Sequence, residues 1–165
     1  MIRFDRNDVH AKLPTVFPRQ ARELLAIQYQ QLRNWRRLLS SIGRRRSGQG
    51  VFDFSELLAL AVIRRLVVDL GVRVGLLAPV AQDLAEMCAS VSLEDALNLR
   101  IEFEPAAQRV AMTRIDMPAP QTLVALVPLG PIAQSLSSRL TMPPDGPDSL
   151  PLFREALMSR PLPPS

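Results

Sequence analysis

Cysteine, histidine and lysine each occur once in this sequence, as Cys88, His10 and Lys12. A lone cysteine excludes an intrachain disulfide and a cysteine zinc site, and Cys88 reads as a small core residue. A lone histidine, in a polar N-terminal stretch, leaves no second ligand for a histidine metal site and argues against a serine–histidine catalytic pair. Aromatic residues make up only 5% of the chain, too few to build stacking platforms for single-stranded nucleic acid. No long hydrophobic run is present. The most apolar stretch, 57–74, is broken by Arg64, Arg65, Asp69 and Arg73 and is too polar to span a bilayer. Residues 2–8 are polar and charged rather than leader-like, so a cytoplasmic location is expected. Asp53, Glu56 and Asp69 are scattered and form no carboxylate pair for acid–base work. Gly48-Gln49-Gly50 lacks the lysine and the following helix of a phosphate-cradling loop. The chain is therefore expected to be neither an enzyme nor the holder of a cofactor or metal.

What the chain does have is arginine and apolar surface. Hydrophobic residues are 47% of its 165 positions, enough to fold one or two small domains. Of 20 basic residues, 19 are arginine. Residues 1–73 hold 14 basic and 6 acidic side chains, a net of +8, whereas 74–165 hold 6 and 10, a net of −4. A basic front half points to a polyanionic partner that the back half does not share. A GC-rich genome would also raise arginine throughout, but it would not cluster it. The arginine fork suits bidentate contact with phosphate and guanine.

Along the chain, 1–14 reads as an irregular arm whose Arg3, Arg6 and Lys12 are either solvated or near a polyanion. Pro18 fits a first helical turn, with Thr15 as a cap, and predicts a helix over 19–26. A second helix is expected over 29–39, with Leu32, Trp35, Leu38 and Leu39 on one face and Gln30, Gln31, Arg33, Asn34, Arg36 and Arg37 on the other. Two short helices in tight succession, the second basic outside, fit a helix-turn-helix. The glycines at 43, 48 and 50 frame Arg44, Arg45 and Arg46, so 43–50 reads as a hairpin-like basic wing leading to an extended run at Val51, Phe52 and Phe54. Ser55 is expected to cap a long helix over 56–70 that stops at Gly71, and Pro79 to open another over 79–89. A helical turn over 93–97 precedes an alternating strand over 99–104, a turn at 105–108, a return strand over 109–115, a third strand over 122–127 and a helix over 131–140. Residues 143–165 hold seven of the 15 prolines and read as an extended tail.

The expected class is thus α+β. It comprises an arm (1–14), a mostly helical winged helix-turn-helix unit (15–91), a small three-stranded sheet with one helix (92–141), and a Pro-rich tail (142–165). The α+β unit is a candidate dimerisation or regulatory module, through strand pairing across a two-fold axis or through its helix packing on a copy.

Residues 22–27 (Arg-Glu-Leu-Leu-Ala-Ile), 32–37 (Leu-Arg-Asn-Trp-Arg-Arg), the Arg/Gly segment 44–50, Phe54-Ser55-Glu56-Leu57-Leu58, Ile63-Arg64-Arg65-Leu66 and Leu70-Gly71-Val72 together carry a resemblance. In order and spacing, over about 60 residues (roughly 15–77), they resemble the winged DNA-binding domain of the mercury-resistance-regulator (MerR) superfamily. The resemblance implies a two-helix reader followed by a wing, with RNA polymerase as a further partner of a bacterial or phage-related regulator. Two departures stand out. Ala26 occupies a turn position where the family often has glycine, and no sustained heptad follows Leu77. The family's promoter-untwisting mechanism and its metal or drug sensing therefore do not transfer.

The expected DNA-contacting residues are Gln28, Tyr29, Gln30, Gln31, Arg33 and Arg37 on the second helix, Arg44, Arg45 and Arg46 in the wing, and Arg64 on the long helix. Glutamine can pair with adenine and arginine with guanine. Tyr29 either donates to a phosphate or packs beneath the helix, and Trp35 belongs to the core. The expected function is sequence-specific double-stranded DNA binding by a transcription regulator acting as a dimer. The alternatives are a phage or mobile-element DNA protein for excision or packaging, and an interaction module without DNA binding.

Overall fold

A computed structural model describes residues 15–39, 42 and 50–141 of the chain. It is α+β, with helices around a small antiparallel sheet. Helix α1 (Pro18–Leu25) begins on a proline whose fixed φ suits the first turn. The Phe17 N–H ahead of it donates to the Gln20 side-chain carbonyl at 3.0 Å, so Thr15 is not the cap. The helix stops at Ala26, which adopts a left-handed conformation with φ 50° and ψ 49°. Helix α2 (Tyr29–Leu38) follows a connection of three residues, Ala26, Ile27 and Gln28. Left-handed backbone crowds any Cβ, so Ala26→Gly is expected to stabilise the fold by about 0.5–1 kcal/mol, read as a higher denaturation midpoint at unchanged cooperativity.

Beyond α2 the chain returns as an extended segment in which Phe52 pairs with Val16 through two backbone hydrogen bonds of 2.8 Å. Phe54 is already helical. Helix α3 (Phe54–Arg64) is capped by Asp53 rather than Ser55. Asp53 Oδ1 accepts the Glu56 N–H at 2.9 Å and the Ser55 hydroxyl at 2.7 Å, while Glu56 Oε2 accepts the Asp53 N–H at 3.0 Å. This reciprocal box satisfies donors that a helix start leaves open. The helix then passes into a wider π-turn, Arg65–Asp69, and the chain reverses at Gly71, whose φ is +70°. Every residue from Leu57 to Ile63 is buried. A helix that is apolar all round belongs at the centre of a fold, and α3 packs against α1, α5 and α7.

Helix α4 (Val74–Leu77) and a 3₁₀ turn (Ala78–Val80) precede α5 (Ala81–Ser90), so Pro79 sits inside the 3₁₀ turn instead of opening the helix. Cys88 lies on the buried face of α5, where desolvation pushes its thiol up to about 12. Helix α6 (Leu93–Ala96) is capped by the Ser92 hydroxyl. The sheet has the order β2-β1-β3, with β1 (Leu99–Glu104), β2 (Arg109–Arg114) and β3 (Ala125–Pro128) all antiparallel. The third strand is shorter and later than its β-branched run predicts, because only 125–128 finds partners on β1. Helix α7 (Leu129–Thr141) starts two residues before Pro131, which occupies its first turn.

Ile101, Phe103, Val110 and Val127 on the sheet's inner face join the α3 side chains and the buried positions of α7 (Leu129, Ala133, Leu136). One hydrophobic core therefore runs from Val16 to Leu136, across the 91–92 boundary drawn from the sequence. Gly130 permits a close approach in it: a Cβ there would lie 3.2 Å from Leu97 Cα. The outer face of the sheet carries a covered polar cluster. Arg100, only 9% exposed, meets Glu102 at 2.7 Å and donates to the carbonyls of Ile115 and Pro118, and the Thr113 hydroxyl donates to Glu102 at 2.7 Å. Burial alone would raise the Glu102 pKa, but the hydrogen bonds from Thr113 and Arg100 and the Arg100 charge hold it below the ordinary carboxylate range.

The two sheet edges are blunted. Side chains of Arg109 and Arg114 stand out at either end of β2, and Pro128 at the end of β3 has no N–H to donate. The buried set of α7 (Leu129, Ala133, Leu136) faces inward, and apart from Pro131 its exposed positions are polar.

Candidate nucleic-acid interface

The α2 surface follows from its residue spacing. Leu32, Trp35 and, just past its end, Leu39 are buried against the core and fix the helix rotation. Gln30, Arg33 and Arg37, spaced i, i+3, i+7, then form one outward stripe, all three exposed. Leu38, grouped with the apolar face by spacing, is instead 42% exposed. Gln28 is exposed at the helix start. Tyr29 is 62% exposed, which removes the packed alternative, and the Arg22 guanidinium stacks over its ring at 5.5 Å. Tyr29, Arg33, Arg36 and Arg37 line a shallow cleft of about 330 Å³ closed by Pro18, Leu32 and Ile42. The floor is apolar and the rim cationic, an arrangement suited to a planar or anionic group.

Gln31 is less available than its position suggests. It is half-buried, and its side-chain carbonyl accepts the Gln28 N–H at 2.9 Å, satisfying a donor at the start of α2. Bidentate reading of adenine needs both the carbonyl and the amide of a glutamine, and here the carbonyl is committed. Arg64 lies on α3 and does not line the cleft. Its guanidinium sits 3.5 Å from Asp69, which pairs more closely with Arg65 at 2.6 Å, and among the described residues its buried Nε has no hydrogen-bond partner. Arg44, Arg45 and Arg46 lie outside the described residues.

Arg36 is placed on the polar face of the second helix by spacing but is not among the expected DNA contacts. It stacks on Phe52 at 5.6 Å and lies beside Gly50, the residue with φ +65° at which the segment returns from the arginine-rich stretch. It thus ties the helix to that segment. The signal was present in the i, i+3 spacing of Arg33 and Arg36, but the partner at position 52 is not local. Among the described residues, no helix is long and apolar enough to cross a membrane, and no group of three or more His, Cys, Asp or Glu residues is placed to hold a metal ion.

Comparison of the chain with protein-family models, with curated proteins and with solved structures returned no match.

Proposed function

We propose that this chain binds double-stranded DNA, with α1 and α2 serving as a helix-turn-helix, α2 entering the major groove, and the arginine-rich segment 43–50 serving as a wing on the flanking phosphates. The observation that carries this reading is the Gln30-Arg33-Arg37 stripe, turned outward by the burial of Leu32, Trp35 and Leu39 and continuous with a rim of Tyr29 and Arg36. Arginine and glutamine on a single exposed helix face supply the bidentate donors and acceptors that base edges require, and the neighbouring arginines supply the charge that dominates affinity. One such reader covers few base pairs, so the proposed regulator works as a pair of copies on adjacent half-sites.

Fluorescence anisotropy with a random-sequence duplex over a salt series tests the reading. The logarithm of affinity is expected to fall linearly with the logarithm of salt concentration, by about 0.9 for each phosphate neutralised. Weak binding that does not respond to salt would remove the proposal.

A further inference from the structure

The α+β unit reaches back to the connection between α1 and α2. Arg139, in the last turn of α7, donates from Nη1 to the Leu24 carbonyl and from Nη2 to the Glu23 carbonyl, the latter at 3.1 Å. Glu23 and Leu24 belong to the last turn of α1, where carbonyls have no helical partner and the helix dipole is negative. Only one of the orphan carbonyls there is served locally: Arg22 O receives the N–H groups of Ala26 and Ile27. The next two are held by a side chain 115 residues away in sequence. One residue beyond them, after Leu25, Ala26 is in the left-handed conformation that a Cβ resists. A cation that grips the Glu23 and Leu24 carbonyls, two and three residues upstream of Ala26, restrains the end of α1 on which that turn is built and so bears on where α2 leaves it. The grip has a firm base, because Leu136 of α7 is buried in the same core as α3.

We infer that Arg139 is a positioning residue for the α2 surface: it latches the α+β unit to the end of α1 and fixes the turn from which α2 projects. The inference rests on the DNA-binding reading for its consequence, though not for its geometry. Arg139 touches no proposed groove contact, so it acts on binding through orientation alone.

The test uses the full chain, its Arg139→Ala and Arg139→Lys variants, and two measurements. The first is amide hydrogen exchange of the free protein. Arg139→Ala is expected to speed exchange at Ile27, whose N–H closes the turn on Arg22 O, while amides of α3 keep their protection. Arg139→Lys, which retains the charge but gathers its donors on a single nitrogen, is expected to restore part of it. The second is anisotropy with a duplex over a salt series. Arg139→Ala is expected to bind about three- to tenfold more weakly, with an unchanged salt slope because no phosphate contact is lost. Unchanged Ile27 exchange would overturn the latch whether or not the protein binds DNA. Faster exchange with unaltered affinity in a protein that does bind would overturn the positioning role. A salt slope reduced by about one would make Arg139 a phosphate contact instead. If the parent chain shows no duplex binding at all, the reading under Proposed function fails, and the exchange experiment still decides the latch.

Discussion

Replacing Phe103 by alanine is expected to destabilise α2 together with the sheet. Phe103 is fully buried on β1, far in sequence from the α1–α2 pair, yet both belong to one core organised on α3. Large-to-small changes of a buried phenylalanine cost about 3–5 kcal/mol, against roughly 5–15 kcal/mol of total stability for a domain of ordinary size. The chain contains its own probe: Trp35 is the sole tryptophan and is buried on the inner side of α2. In a denaturant titration of Phe103→Ala, the Trp35 fluorescence and far-UV circular dichroism transitions are expected to coincide and to move together to much lower denaturant. A Trp35 midpoint left at the parent value while dichroism shifts would mean that the two halves melt independently.

The largest expected effect on binding comes from charge. Replacing Arg44, Arg45 and Arg46 together by alanine is expected to weaken binding to every duplex sequence by about 100-fold at low salt and to flatten the salt slope by roughly three, about one per lost phosphate contact. Arg33→Ala is expected to behave differently. Because Arg33 is proposed to read bases from the exposed stripe of α2, its loss is expected to reduce preference among sequences by about 1–3 kcal/mol at positions bearing guanine. Competition binding with a target selected from a random pool separates the two effects. Identical behaviour of the two variants would refute the division of labour between helix and wing.

Much of this fold can be read from local pattern. Pro18, the leucine–tryptophan spacing of α2, the alternation Leu99 to Glu104 and the turn at 105–108 each act within one element, so periodicity and turn chemistry find them. What escaped was set by competition or by distance. Asp53 displaces Ser55 as the cap because a carboxylate accepts both the Glu56 amide and the Ser55 hydroxyl. The run 122–127 lost its first half because pairing on β1 defines the strand more than composition does. At the candidate interface, the stripe Gln30, Arg33 and Arg37 follows from helical rotation once Leu32 and Trp35 are placed inside. The commitment of Gln31 to the Gln28 N–H lies within three residues and is a capping-box pattern that spacing alone could have shown, whereas the stacking of Arg36 on Phe52 and the grip of Arg139 on α1 join residues far apart in sequence.

The flanks of the sheet bear on how this protein behaves when crowded. A strand edge recruits a neighbour by offering a ladder of open donors and acceptors to a chain that can lie flat against it. Here one flank carries two ion-paired arginine side chains at its ends, Arg109 with Glu104 and Arg114 with Asp116, and the other lacks a donor at Pro128. Molecules gathered at high local density are expected to find those flanks poor templates for strand addition.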